Sequence, residues 1–448
     1  MEQRGSPVEL GTGNIGRLLM KYAIPSVIAM TAVSIYNITD SIFIGQGVGA
    51  LAISGLAISF PLMNLSAAFG SLVGVGASNL MSLRLGQKDY DTANNILGNV
   101  FVLNFILGLA YTIVVLIFLD PILYFFGASP DTIPYAHDFM VIITLGNVIT
   151  HLYFGLNAML RATGHPKKSM ATTLCSVLIN MTLAALFIFV FRWGVRGAAL
   201  ATLIAQTSML TWQIIHFTNK RNFVHLQKGS LRLKRRIVID SLSIGMAPFL
   251  MNSVASVIVI LINTRLIIHG GDLAVGAYGI INRVSILFMM VVSGLIQGMQ
   301  PIVGYNFGAR QFGRVNSILK LTIILATSVM IIGFALGELV PQAVASAFTR
   351  EKQLIEIVVP GMRIVMITFP IIGFQMVASN FFQSIGMPGK AIFMSLSRQV
   401  IFLLPCLLIL PSFFGVKGVW YSMPASDVMA SLVAAYLIIV QYRRNSIK

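Results

Sequence analysis

The chain has 448 residues, 56% of them hydrophobic and only 10% charged, with a mean hydropathy of +0.85. Soluble domains carry about a quarter charged residues, so a soluble enzyme or binding domain is excluded and a polytopic membrane protein is implied. The formal charge of +17 does not point to nucleic acid, because the basic residues fall in short clusters between apolar runs, the positive-inside pattern.

Apolar runs of bilayer length predict twelve spans, near 18–44, 51–82, 93–119, 134–160, 169–191, 195–217, 240–268, 274–305, 316–346, 354–383, 391–413 and 418–441. No short apolar region with a small-residue cleavage site precedes the first, so it is expected to stay attached as a span. Within it, Ile35-Tyr36-Asn37-Ile38-Thr39-Asp40 sets a carboxylate, an amide and hydroxyls in apolar surroundings. An ionisable side chain at such depth costs roughly 2.5–3.5 kcal/mol and is tolerated where it faces a bundle interior or a water-filled path. Asp40 is expected to face such a path, the alternative being an interfacial helix cap. Pro25 lacks an N–H and should bend the helix below Asp40, as a hinge or as a static kink.

Assigned to alternate faces, the loops and span ends carry 22 basic residues on one side, from Arg4 to Lys448, and five on the other: Arg192, Arg196, Arg350, Lys352 and Lys417. Both termini are therefore expected to be cytoplasmic. The only long polar insertion lies at the midpoint and divides an N-lobe, 1–217, from a C-lobe, 240–441, with a basic linker at 218–239 and a tail at 442–448. Its cations either fix topology or bind anionic headgroups, at roughly 1 kcal/mol each.

The halves match at an offset of 222: Gly49-Ala50-Leu51-Ala52 with Gly271-Asp272-Leu273-Ala274, Gly76 with Gly298, Gly86 with Gly308, and Gly164 with Gly386. An even number of spans per repeat makes the repeats parallel. The expected fold is all-α and integral to the membrane: twelve transmembrane helices in two six-helix lobes, related by pseudo-two-fold symmetry about the membrane normal. Such repeats belong to transporters that rock one lobe against the other around a midplane site.

Of fourteen acids, only Asp40 and Asp427 fall well inside spans. At about 1.5 Å per residue, Asp40, Asn180 and Thr202 all lie in the outer half of the N-lobe and could share a pocket. Asn180 alone reads as a packing amide. In the C-lobe, the position matching Asp40 is Ile262, and the buried charges are Arg283, Arg363, Arg398 and Asp427. Asp427 should pair with an arginine, since an unpaired charge there is expensive. Its depth agrees with that of Arg363, whereas Arg398 would have to reach upward. Such a pair reads as structural before substrate contact.

Cys175 and Cys406 lie inside apolar runs and form neither a disulfide framework nor a zinc spacing. Gly47-Val48-Gly49 and Gly74-Val75-Gly76 follow no strand, and there is no Walker A lysine motif. The six histidines show no ligand spacing, and His137, His151 and His165 are expected at interfaces. No enzymatic activity, cofactor or firm metal site is expected.

Two six-span lobes, the Pro25…Tyr36…Asp40 helix, the turn Leu160-Arg161-Ala162-Thr163-Gly164-His165-Pro166 and the Arg398-Gln399…Pro405 run together resemble bacterial-type multidrug and toxic compound extrusion (MATE) transporters over essentially the whole chain. The resemblance implies an antiporter that exports small organic, often cationic, compounds through a central cleft against an inward proton or sodium gradient. A monomer is expected in the plasma (inner) membrane, with lipids and organic substrates as its partners. Also implied are a cation-coupling site of Asp40, Asn180, Thr202 and the Ala198 carbonyl, with Tyr36 and Pro25 responding, and a substrate cavity drawing on Asn37, Asn157, Arg283, Arg363, Arg398 and Asp427.

Where many relatives read Asn-x-x-x-Asp-Pro in span five, this chain reads Asn180-Met181-Thr182-Leu183-Ala184-Ala185, so Ala184 replaces a carboxylate. A hard cation such as sodium wants several oxygens and negative charge. A lone buried carboxyl suits a proton better, with sodium as the alternative. The competing reading is a flippase for a lipid-linked sugar or peptidoglycan precursor, which would need a cationic cavity, with Arg283, Arg363 and Arg398 as its candidates. A non-transporting scaffold or intramembrane enzyme has no supporting feature.

Overall fold

Twelve helical spans account for most of the chain in the computed structural model, which describes residues 8–446. Glu2, Arg4 and Lys448 lie outside them. The N-terminal spans are α1 (Ile15–Gly47), α2 (Leu51–Gly86), α3 (Tyr90–Ile117), α4 (Ile133–Leu145 with Asn147–Ala162), α5 (Pro166–Val190) and α6 (Gly194–Thr218). The C-terminal spans are α7 (Arg235–Gly271), α8 (Leu273–Gly308), α9 (Phe312–Leu339), α10 (Lys352–Met366 with Phe369–Ser384), α11 (Pro388–Phe414) and α12 (Val416–Arg443). Among the described residues there is no strand.

Local chemistry sets several ends. Asn14 and Asp89 cap α1 and α3 by accepting from the N–H groups of Arg17 and Thr92. Pro166 and Pro388 begin α5 and α11, where a missing N–H costs nothing. Helix α9 stops at Leu339, short of the expected 346, because Pro341 starts a separate helix, Pro341–Phe348. Spans four and ten, each expected as one continuous apolar run, bend by 55° and 50° at equivalent points, Gly146 and Ile367–Thr368. Hydropathy does not reveal these bends, since both arms are apolar.

The repeat is visible in the backbone. Left-handed residues recur 222 apart: Gly49 and Gly271, Lys88 and Arg310, Gly164 and Gly386. So do the contacts between lobes. Gly76 of α2 abuts Ser241 and Gly245 of α7, while Gly298 of α8 abuts Tyr22 and Ala23 of α1. Gly86 abuts Tyr305, and Gly308 abuts Leu83. Each pair becomes the other when the halves are exchanged, the signature of a two-fold interface. One apolar core runs through both lobes here, including Tyr22, Ala23, Met299 and Tyr305. A separate cluster around Ile44, Tyr111 and Ala184 fills the far half of the N-lobe.

These contacts gather toward the basic-loop face. Farther along the seam, Met30 meets Gln297, 3.2 Å from sulfur to amide nitrogen, Ser71 lies 3.5 Å from Asn252, and the Phe69 ring packs on Phe249. Beyond Met30, the α1 face that carried Ala23 and Val27 continues through Asn37, Ile38 and Ser41, all exposed. On α8 the face of Gly298 and Gly294 continues to the exposed Leu287 and Arg283. The lobes thus part into a cleft that opens away from the basic loops.

Each lobe's leading segment is fastened to the other lobe. Before α1, Leu10 and Gly13 offer carbonyls to Asn306 and Arg314 of the C-lobe. Before α7, the linker backbone at Ser230, Arg232 and Lys234 is held by Asn99 of α3.

Candidate functional site

The predicted N-lobe residues converge. Thr202 on α6 donates to the carbonyl of Ala198 one turn below (3.1 Å), accepts from the Asn180 amide of α5 (2.9 Å), and lies 3.2 Å from the Tyr36 hydroxyl of α1. A hydroxyl has one donor and two acceptor sites. With its proton given to Ala198, Thr202 accepts from Tyr36 as well and is saturated. Asp40 stands one turn beyond Tyr36 on α1, with Oδ1 buried and unpartnered, and Asn180 likewise has a buried, unpartnered Oδ1. Two oxygens, one from a carboxyl and one from an amide, are therefore left unused in this pocket. Ala184, one turn along α5 from Asn180, is fully buried among apolar neighbours.

Pro25 is buried inside an α1 that runs unbroken from Ile15 to Gly47. Fifteen residues separate it from Asp40, about 22 Å at the helical rise. It neighbours the Ala23 and Val27 contacts with α8 rather than the pocket at Asp40.

In the C-lobe the depth argument favoured Arg363, yet Asp427 is held by Arg398: the guanidinium Nε donates to Oδ1 at 2.7 Å. Arg398 lies in a π-helical turn, Ser397–Leu403, which adds a residue to the turn and re-aims the side chain. Thr368, at the bend of α10, donates to the other Asp427 oxygen (3.1 Å), and Asp427 is 3% exposed. Arg363 is exposed on a stripe with Glu356, Pro360 and Ile367. Thr368 escaped the sequence reading, although the repeat places it opposite Gly146, the matching bend.

The other cavity candidates separate. Asn37 and Arg283 lie on exposed faces that lead up from the lobe contacts. Asn157 is buried in a clamp between α4 and α5, accepting from Arg161 at 2.6 Å and donating to Thr172 at 2.9 Å. It does not line the cleft. His151, expected at an interface, is 1% exposed inside the N-lobe, where Nε2 lies 3.0 Å from the Ser66 carbonyl and near Asn147. Its placement follows from the bend at Gly146, which turns the second arm of α4 inward.

A family model described as MatE matches residues 25–186 and again 248–408, once in each lobe. The multidrug export protein MepA of Staphylococcus haemolyticus is 26% identical over 425 residues, covering 95% of this chain and 93% of that protein. The fold is similar to a solved outward-facing conformation of a multidrug resistance MATE family transporter of the MOP superfamily, with a TM-score of 0.93 at 22% identity over 100% of both chains. It is similar also to a solved structure described as protein A, with a TM-score of 0.91 at 35% identity over 98% of each. With both six-helix lobes matched in tandem around a shared cleft, this chain belongs to the MatE family of membrane transporters.

Proposed function

We propose that the protein exports small organic compounds, cations among them, across the plasma (inner) membrane in exchange for protons taken up at Asp40. The observation that carries this reading is the buried, unpartnered Asp40 Oδ1 beside the saturated Tyr36–Thr202–Asn180 cluster. A carboxylate in such surroundings is costly to keep charged and open to a proton. The multidrug export assigned to the MepA relatives supports the substrate class. With the basic loops in the cytoplasm, as the charge asymmetry favours, the cleft faces outward and Asp40 belongs to its far half. Proton arrival there would cancel the negative charge that attracts a cationic compound, so the two ligands compete and exchange follows.

Sodium fits less well. A hard cation collects six or more oxygens in the best-studied cases, whereas Thr202 is saturated and the buried side-chain oxygens without any partner in this pocket are Asp40 Oδ1 and Asn180 Oδ1. Among the described residues, no group of three His, Cys, Asp or Glu side chains is placed to hold a metal. The flippase alternative loses one of its three arginines, since Arg398 is neutralised by Asp427.

Reconstituted vesicles test the proposal with an ethidium-like cation. An imposed pH gradient should drive flux that Asp40→Asn abolishes, while a sodium gradient at constant pH should drive none. Flux that survives the substitution, or movement of a lipid-linked oligosaccharide in place of the dye, would overturn it.

A further inference from the structure

At the seam on the basic-loop face lies a cavity of about 220 Å3, walled by Arg84, Asp89 and Thr92 of the N-lobe and by Lys234, Arg236 and Asp240 at the start of α7. Drug-sized ligands occupy roughly 300–1,000 Å3, so this cavity is too small for an exported compound and sits at the closed end of the cleft.

Its walls are built rather than incidental. Asn99, 1% exposed, donates to the carbonyls of Ser230 (3.2 Å) and Arg232 (3.1 Å) and accepts from the Lys234 N–H (2.9 Å). The linker backbone is thereby pinned to α3, and the Lys234 and Arg236 side chains leave from fixed points opposite Arg84. The Arg84 guanidinium is under-satisfied. One nitrogen donates to Gln87, another stands 3.7 Å from Asp240, and Nε is buried with no acceptor. Buried donors without acceptors are rare and point to a partner that completes them. One Asp89 oxygen is already committed to capping α3.

Three cations face two carboxylates, which leaves one positive charge. A phosphodiester carries one negative charge and offers unesterified oxygens as acceptors. Along the linker that leads into the cavity, Leu231 and Leu233 are 43% and 44% exposed and alternate with Arg232 and Lys234. Free phosphate would have no use for these neighbouring leucines, whereas acyl chains would cover them.

We propose that this cavity binds the phosphodiester headgroup of an anionic membrane lipid, linking Arg84 of the N-lobe to Lys234 and Arg236, where the linker enters α7, and holding the basic-loop face shut. The site is separate from the coupling pocket and stands whether or not Asp40 carries protons.

Thermal unfolding of the full chain in detergent, titrated with phosphatidylglycerol, phosphatidylcholine or inorganic phosphate, provides the test. Phosphatidylglycerol should raise the unfolding temperature, and the other two should not. Lys234→Gln combined with Arg236→Gln should raise the half-effective phosphatidylglycerol concentration roughly 30-fold. Lys220→Gln combined with Arg221→Gln, elsewhere on the linker, should leave it unchanged. An equal loss in both double variants would mean diffuse attraction and overturn the site. So would an equal rise with inorganic phosphate, or no rise in the unsubstituted protein.

Discussion

Gly298 lies against Ala23 as Gly76 lies against Gly245, and at neither position is there room for a Cβ. At Gly298 that atom would stand 2.6 Å from the Ala23 Cα, and at Gly76 it would stand 2.8 Å from the Gly245 nitrogen. Both obstacles are backbone atoms, which cannot swing aside as a side chain can. Overpacking of this kind costs typically about 1–3 kcal/mol, and here it falls on the contact between lobes rather than on either lobe's interior. Gly298→Val should therefore open the basic-loop face without unfolding the lobes. A cysteine placed at Ser82, fully buried at this seam, should react with a membrane-impermeant maleimide from the basic-loop side roughly tenfold faster in that background. Unchanged labelling would refute this role for the seam.

The Arg398–Asp427 pair makes a stability prediction. Asp427 is 3% exposed and accepts from both Arg398 and Thr368. Asp427→Ala leaves a guanidinium in a low-dielectric interior, which costs about 3–5 kcal/mol. Replacing both charges, Asp427→Leu with Arg398→Met, should recover most of that loss, because desolvation and attraction nearly cancel in a buried pair. Unfolding temperatures of Asp427→Leu, Arg398→Met and the double variant form the cycle. A double variant less stable than Asp427→Ala alone would show that the pair is worth more than its desolvation.

Much of this architecture can be read from residue order alone, for physical reasons. Span length is dictated by bilayer thickness, and the repeat survives in Gly76, Gly86, Gly298 and Gly308, where the two-fold seam leaves space only for hydrogen. The convergence of Asn180 and Thr202 with Tyr36, one turn from Asp40, was legible because these are polar groups at similar depth in spans that pack together. Side-chain direction was not legible. The π-helical turn at Ser397–Leu403 brings Arg398, not Arg363, to Asp427, and the bend at Gly146 carries His151 into the lobe interior. Both depend on backbone irregularities within uniformly apolar runs, where hydropathy has no contrast.

The linker offers a kinetic prediction. Asn99 is the hub that fixes Ser230, Arg232 and Lys234 to α3. Asn99→Ala removes three hydrogen bonds and strands the buried Ser230 carbonyl, at about 1–3 kcal/mol for a buried group left unsatisfied. Trypsin should then cut at Arg232 or Lys234 at least about tenfold faster, since cleavage follows the population of the detached segment. Cleavage at Lys220, before the pinned stretch, should keep its original rate. A linker cut equally fast in both proteins would mean that Asn99 does not hold it.

Ala184 is the position at which the proposed proton coupling at Asp40 can be tested by one substitution. It is fully buried one helical turn from Asn180, within the apolar cluster that includes Ile44, Phe187 and Val195. Ala184→Asp would add a carboxylate near two unused oxygens, Asp40 Oδ1 and Asn180 Oδ1. Without a counter-ion, two carboxyls in one small site cannot both ionise cheaply. A sodium ion would neutralise one charge and supply a ligand centre for three oxygens. The variant should unfold at a higher temperature in sodium chloride than in choline chloride at equal ionic strength, and its dye flux should respond to a sodium gradient. Ala184→Asn, which adds the same bulk without charge, should show neither effect. The unsubstituted protein should be indifferent to the exchange of salts, because its single carboxyl is better served by a proton. A sodium-specific rise in its own unfolding temperature would count against proton coupling at Asp40 and in favour of a cation site that Ala184 has not weakened.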